Sequence, residues 1–218
     1  MVIERTIAVR THGRYLMDPP ASDGSAPLLV GFHGYGEGAE AQLERMRRIP
    51  GADRWRLVSM QGLHRFYQRR ANEVVASWMT RQDRELAIAD NLAYVAAVID
   101  EVDREFPGAP RLVLTGFSQG VAMTFRAAAA SERAVHGVIA VGGDVPPELD
   151  AAAISRVGRI LVCHGTRDEF YTDAIFGRDI QRLQASSAGV TPLTFDGGHE
   201  WSDPVVEAAS LFLRELWP

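Results

Sequence analysis

Cysteine is almost absent from this sequence: Cys163 is the only one among 218 residues. A single cysteine excludes an internal disulfide and is compatible with a reducing compartment. Because Cys163 lies within the apolar run 160–163, we expect a buried, unreactive thiol. Any stabilisation of the fold must therefore come from a packed core rather than from cross-links.

Long apolar runs and an excess of positive charge are also missing. No stretch approaches the roughly 18 apolar residues that a membrane-spanning helix needs, and charges within residues 2–10 interrupt any signal-peptide core. The formal net charge is -5, and the arginine clusters at 45–48 and 65–70 are too sparse to indicate a nucleic-acid or anionic-membrane surface. We therefore expect a cytoplasmic protein with no membrane span and no nucleic-acid partner.

What the sequence does contain is a regular alternation of short apolar strands and helices. Hydrophobic residues make up 46% and charged residues 23%, which is typical of a soluble globular protein. Strands are predicted at 28–32, 56–60, 112–114, 137–141, 160–163 and 191–195, and helices at 39–49, 84–106, 121–131, 174–187 and from Pro204 onward. This alternation predicts one α/β domain over residues 1–218, with a mostly parallel, doubly wound sheet, helices on both faces and no large lid domain.

Two segments are less regular. Residues 2–10 and 14–17, separated by Thr11, His12 and Gly13, are predicted to form an antiparallel hairpin at a sheet edge. Residues 61–83 show no clear period, and a stretch of this length is usually functional. We predict an irregular excursion there with enough apolar surface to line an acyl channel, the alternative being a surface loop that its aromatic residues pack onto the core.

The pentapeptide 116–120 has the pattern G-x-S-x-G between an apolar strand and a helix-prone stretch. This is the setting of a nucleophile elbow, a sharp turn that exposes a serine hydroxyl to a base. Gly116 and Gly120 provide room on either side of Ser118. We therefore predict that Ser118 is a nucleophile and that the amide of Gln119, at a helix N-terminus, stabilises the negative charge that develops beside it.

A serine nucleophile needs a histidine base and an orienting carboxylate. His199 is the candidate base, because it follows the last strand in a Gly-rich loop. His33 and His164, each at a strand end before a glycine, are expected to brace loops. Asp168 is favoured over Asp144 as the acid, since it lies one strand before His199 and keeps the chain order Ser, Asp, His.

The loop after strand 28–32 is the expected source of a second oxyanion donor, the amide of Tyr35 between Gly34 and Gly36. Metal ligation is not predicted, since paired cysteines and H-x-x-x-H are missing. No G-x-G-x-x-G or G-x-x-x-x-G-K follows a strand, so a phosphate-binding loop is not predicted either. We therefore expect no cofactor and no metal.

Taken together, the segments 33–36, 116–120, 164–168 and 198–200 resemble the signatures of the phospholipase/carboxylesterase family of α/β-hydrolases, which includes the acyl-protein thioesterases. The resemblance runs from about residue 28 to the C-terminus. Gln119 and the pair Ser77 and Trp78 are more specific to this family than the G-x-S-x-G pattern is. It implies an α/β-hydrolase fold, the triad Ser118, Asp168 and His199, and oxyanion donors at Tyr35 and Gln119.

The sequence departs from this family in two places that would shape a substrate pocket. Met79, Thr80 and Arg81 stand where an aromatic residue and an acid are common, and Tyr171 replaces a small aliphatic residue. Phe66, Trp78 and Tyr171 are the predicted pocket residues. Arginines interleave with the apolar residues of this region, at positions Arg65, Arg69, Arg70 and Arg81.

The sequence thus predicts a serine hydrolase that cleaves small carboxylic esters or thioesters of short to medium acyl length through an acyl-enzyme. Lactone or peptide hydrolysis would use the same residues, and a non-catalytic ligand-binding protein could retain them. A homodimer is possible.

Overall fold

A seven-stranded sheet, in the order β1-β3-β2-β6-β7-β8-β9, forms the centre of the computed structural model, which describes residues 1–21, 25–68 and 72–217. The strands are β1 Arg14–Asp18, β2 Leu28–Phe32, β3 Arg56–Gln61, β4 His64–Gln68, β5 Glu73–Ser77, β6 Leu112–Phe117, β7 Val135–Val141, β8 Val157–Gly165 and β9 Gly189–Phe195. The helices are α1 Ala39–Arg47, α2 Arg84–Glu105, α3 Gln119–Ala130, α4 Ala151–Ile154, α5 Asp173–Gln184 and α6 Asp203–Leu216.

All neighbours in the main sheet are parallel except β1, which pairs antiparallel with β3. The central strands β2 and β6 are entirely buried, as expected for continuous apolar runs covered by helices on both faces. Helices α1 and α6 cover one face, and α2, α3, α4 and α5 cover the other. The predicted fold is therefore confirmed: a mostly parallel sheet between two helical layers, with no large extra domain in the described residues.

Cys163 lies on β8, the strand beside the edge strand β9, and is fully buried, as expected. Burial raises the pKa of its thiol, because the charged thiolate is poorly stabilised away from water. Within the described ranges, no helix is both long and apolar enough to cross a membrane.

The predicted N-terminal hairpin is wrong. Residues 14–18 do form an edge strand, but its partner is β3, whereas residues 2–10 are exposed and form no strand. The apolar side chains of this segment, including Ile7 and Val9, have no surface to cover them. Without burial, pairing would not offset the entropy lost on ordering the backbone.

The prediction of an irregular excursion over residues 61–83 is also corrected. Residues 64–68 and 73–77 pair as the antiparallel strands β4 and β5, in which Phe66 opposes Val75 and Tyr67 opposes Val74, whereas 78–83 are irregular as predicted. These β-branched and aromatic pairs are typical of strands. Arg69 and Arg70 lie outside the described residues.

Glycine is required where α3 begins, because the helix lies directly against the end of β2. A Cβ on Gly120 would be 2.1 Å from the Phe32 carbonyl oxygen. A Cβ on Gly177, in the interior of α5, would meet no atom within 4 Å. The two positions therefore differ in packing although both are helical glycines.

Replacing Gly120 with alanine should lower the free energy of unfolding by about 1–3 kcal/mol, since the methyl group must displace backbone. Gly177→Ala is the matched control and should raise it by about 0.5–1 kcal/mol, because alanine favours a helix. Urea unfolding monitored by circular dichroism measures both. Equal changes in the two variants would contradict the close contact between α3 and β2.

Candidate active site

Ser118 stands alone between β6 and α3 in a backbone conformation that few side chains adopt. Its φ is 53° and its ψ is -122°, a strained combination for a residue with a side chain. The flanking chain makes room for the turn: a Cβ on Gly116 would be 2.3 Å from the Thr124 hydroxyl and 2.7 Å from the Gly120 carbonyl carbon. The sequence 116–120 therefore forms the sharp strand-to-helix turn that it predicts.

Ser118 opens onto a cleft of about 460 Å³ at the carboxyl ends of the strands. Its lining includes four charged side chains, whereas the pocket residues predicted from the sequence are aromatic. The residues are Gly34, Tyr35, Glu37, Arg45, Arg48, Phe117, Ser118, His199, Glu200 and Trp201.

His199 and Asp168 form a hydrogen-bonded pair beside this cleft. The two residues follow β9 and β8, and the distance from His199 Nδ1 to Asp168 Oδ2 is 2.8 Å. The other carboxylate oxygen, Oδ1, accepts hydrogen bonds of 2.9 Å from the amides of Phe170 and Tyr171. Because the carboxylate accepts from Nδ1, the unprotonated Nε2 of a neutral imidazole is left to act as a base. Asp144 is exposed on the loop after β7.

The imidazole of His199 is also held by rings. Phe117 and Phe170 have ring centroids 4.9 Å and 5.0 Å from it. Phe170 is largely exposed, so its contact with the imidazole lies at the protein surface. Sequence reasoning missed Phe170, since an aromatic residue two positions after an aspartate has no distinctive spacing.

The backbone of the loop after β2 is held by His33, as the sequence predicts for a bracing histidine. His33 Nε2 accepts a hydrogen bond of 3.0 Å from the Gly62 amide, which leaves Nδ1 to donate to the Gly34 carbonyl oxygen at 2.7 Å. In a trans peptide the carbonyl and the next N–H point in opposite directions. Holding the Gly34 carbonyl therefore fixes the direction of the Tyr35 amide. Burial lowers the pKa of His33, which favours the neutral ring.

The peptide group between His33 and Gly34 has a hydrogen-bond partner at both its carbonyl oxygen and its amide. Trp78 Nε1 donates to the His33 carbonyl oxygen at 2.8 Å, and the Gly34 amide donates to Glu37 Oε2 at 2.8 Å. Arg45 pairs with both oxygens of Glu37 and lies over the Phe117 ring, 4.2 Å from its centroid. Burial alone would raise the pKa of Glu37, but the hydrogen bonds from Arg45 and the Gly34 amide lower it. The sequence did not predict a role for Glu37 or Arg45. Glu37 binds a backbone amide, and Arg45 contacts the ring of Phe117, which is distant in sequence.

The side chain of Gln119 connects the start of α3 to the end of β5. Its Oε1 accepts from the Trp78 amide at 2.9 Å, and its Nε2 donates to the Met79 carbonyl oxygen at 3.0 Å. The same Oε1 lies 3.2 Å from the Ser77 hydroxyl, which donates to the nearer Met79 carbonyl oxygen at 2.8 Å. Its backbone amide is in the first turn of α3, where amides have no helical acceptor. The side chain thus anchors the helix while the amide stays directed out of the helix end.

Comparisons with known proteins show the family of this chain. The sequence profile described as phospholipase/carboxylesterase matches residues 20–217. The chain belongs to the phospholipase/carboxylesterase family. A search of curated proteins finds no match.

Solved structures show the same fold at low sequence identity. The chain is similar to the structure of esterase PE8, with 20% identity, a TM-score of 0.74 and coverage of 94% of this chain and 99% of the other. It is also similar to a Bacillus cereus carboxylesterase, with 19% identity, a TM-score of 0.76 and coverage of 94% of this chain and 95% of the other. For Zea mays acyl-protein thioesterase 2 the identity is 17%, the TM-score is 0.74, and the coverage is 94% of this chain and 99% of the other. The α/β-hydrolase fold of the chain is thus confirmed.

The three pocket residues predicted from the family resemblance lie in different environments. Phe66 packs against Tyr35, with centroids 5.7 Å apart, near the rim of the cleft. Trp78 and Tyr171 are buried in the core of this phospholipase/carboxylesterase family member. Their role as substrate contacts stays a prediction.

The buried, neutral His33 should make stability depend on pH. An unfolded histidine has a pKa of about 6.5, whereas burial lowers the folded value, so the unfolded state binds the proton more readily. Stability from this residue is therefore present above about pH 6.5 and decreases as the pH falls, by at most about 1.4 kcal/mol per unit. Urea unfolding between pH 8 and pH 5 measures how the free energy of unfolding changes with pH. This change should be smaller for His33→Gln than for the original protein. Identical slopes would contradict a neutral His33.

Proposed function

We propose that this protein is a serine hydrolase that cleaves carboxylic esters or thioesters through an acyl-enzyme. The observation that carries the proposal is the His199–Asp168 hydrogen bond beside the cleft that Ser118 also lines. In this mechanism, His199 Nε2 takes the proton of the Ser118 hydroxyl as the oxygen attacks the carbonyl carbon. Asp168 orients the imidazole and stabilises its positive charge.

The negative charge that develops on the carbonyl oxygen is stabilised by the amides of Tyr35 and Gln119 in this proposal. Donors that are already aligned before the reaction need no reorganisation as the charge appears. The contacts of His33 with the Gly34 carbonyl and of the Gln119 side chain with residues 77–79 support such alignment. The protonated imidazole then donates to the leaving alcohol or thiol, and water repeats the sequence on the acyl-enzyme.

Both reaction partners in this proposal are small. A carboxylic ester or thioester and water suffice, with no cofactor and no metal. Cytoplasmic location and a homodimer stay predictions from the sequence, as does a single domain over 1–218.

The nucleophile is tested with a fluorophosphonate probe followed by mass mapping of the labelled peptide. The original protein should be labelled at Ser118, and Ser118→Ala should lose both labelling and ester turnover while it keeps its fold by circular dichroism. Labelling of Ser118 without turnover on esters, thioesters, lactones or peptides would favour the ligand-binding alternative. Equal labelling of the variant would falsify the assignment.

Two aspartate variants provide the matched control. Asp168→Asn should lower kcat by about 10⁴, because an amide cannot hold the imidazole in the required tautomer. Asp144→Asn removes an exposed carboxylate on the neighbouring loop and should leave turnover nearly unchanged. A large loss of turnover in Asp144→Asn would instead identify Asp144, after the preceding strand, as the acid.

The charge of the cleft also predicts how activity depends on acyl-chain length. Charged residues line much of the cleft, and both Trp78 and Tyr171 are buried rather than available to line a long apolar channel. Each methylene that enters an apolar slot contributes about 0.8 kcal/mol, close to fourfold in kcat/KM. Activity on p-nitrophenyl esters should therefore rise over the first few acyl carbons and then fall. A steady rise through long chains, with higher activity on emulsions, would indicate a lipase instead.

A further inference from the structure

Two short segments of chain contact the His199–Asp168 pair. The first is the turn after Asp168, whose Tyr171 amide donates to Asp168 Oδ1. The second is the loop after β7, which begins at Gly142. A Cβ on Gly142 would lie 3.3 Å from His199 Nδ1 and 3.4 Å from Asp168 Oδ2, so its backbone packs directly on the pair. The geometry of the pair therefore depends on both segments.

Asp179 connects these two segments from the middle of α5. It is fully buried, and its Oδ2 accepts from the Val145 amide at 2.9 Å and lies 3.4 Å from the Tyr171 hydroxyl. One carboxylate oxygen thus contacts both the loop after β7 and the turn after Asp168. Asp179 itself does not line the cleft beside Ser118.

Arginines of the same helix complete the environment of Asp179. Its Oδ1 lies 3.3 Å from Arg178 Nη2 and 3.7 Å from Arg182 Nη1. Arg182 also donates to the carbonyl oxygens of Val145, Pro146 and Leu149, each at 2.9 Å. Residues three apart on a helix lie on one face, so Asp179 and Arg182 together hold an amide and several carbonyls of the same loop. Burial raises the pKa of Asp179.

We propose that Asp179 is a positioning residue for the catalytic pair, because it fixes the loop after β7 and the turn after Asp168 relative to each other. The proposal rests on the proposed function for its effect on turnover. Asp179 acts through Val145 and Tyr171 and takes no part in bond making or breaking. Its loss would let the two segments shift, and a displacement of about 1 Å at a reacting group can reduce turnover about a hundredfold.

The test compares three variants. Asp179→Ala should reduce kcat by about a hundredfold with little change in KM. Asp179→Asn keeps an oxygen that can accept from Val145 and should restore most of the activity. Ser210→Ala is the control, because it removes another buried hydrogen bond, from the Ser210 hydroxyl to the Pro50 carbonyl oxygen at 2.8 Å, on the opposite face of the sheet. Its kcat should stay close to that of the original protein.

A readout that needs no turnover separates this proposal from the proposed function. The proton on His199 Nδ1 gives a low-field resonance in the proton NMR spectrum when it is shared with Asp168. We expect this resonance in the original protein, Asp179→Asn and Ser210→Ala, and its shift or loss in Asp179→Ala. An unchanged resonance in Asp179→Ala would overturn the positioning role. A protein that shows the resonance but hydrolyses no ester would instead contradict the proposed function.

Tyr171→Phe decides the question if Asp179→Ala does not fold. It removes only the hydroxyl near Asp179 Oδ2 and leaves the Tyr171 amide bonded to Asp168. We expect a smaller shift of the same resonance and a loss in kcat of several-fold rather than a hundredfold. A resonance identical to that of the original protein would then overturn the proposal.

Discussion

The contact between the first turn of α3 and the end of β2 is the constraint on which the site depends. Because Gly120 has no side chain, the helix lies against the Phe32 carbonyl. Strands β2 and β6 are parallel neighbours, with Phe32 beside Gly116, so Ser118 and the loop after β2 emerge side by side. Any residue larger than glycine would separate the serine from that loop.

Around this contact, backbone groups are oriented by side chains from elsewhere in the chain. His33, Glu37, Trp78 and Gln119 each hold one or more peptide groups near Ser118. The loop is also joined to β5 by main-chain hydrogen bonds, from the Gly36 amide to Ala76 at 3.0 Å and from the Ala76 amide to Glu37 at 2.7 Å. The dipoles of these peptide groups stay fixed around Ser118, since each peptide has a partner at a defined distance.

The sequence predicts well those features that depend on local pattern. Buried parallel strands read as continuous apolar runs, and the turn at Ser118 has its own glycine spacing, so both could be located. The N-terminal hairpin could not be judged locally, because alternation in residues 2–10 does not show whether a surface is available to cover it. The β4 and β5 pairing was missed for a related reason: each strand is short, and its partner supplies the register.

Contacts that depend on the folded arrangement of the chain could not be predicted from the sequence. Glu37 and Arg45 lie eight positions apart, and their role depends on the Gly34 amide and the Phe117 ring that the fold brings beside them. Phe170 and Asp179 likewise have no motif. Phe170 meets His199 where the loops after β8 and β9 come together, and Asp179 contacts the loops after β7 and β8. Both meetings are a property of the sheet order rather than of spacing.

The burial of Cys163 has a practical consequence for measurements on this protein. A thiol in the middle of β8, away from water and with a raised pKa, will react slowly with maleimides while the fold is intact. A cysteine introduced at an exposed position such as Tyr67 on β4 would then be the preferred site for a dye. Single-site fluorescence labelling is thus open to this protein without removing Cys163.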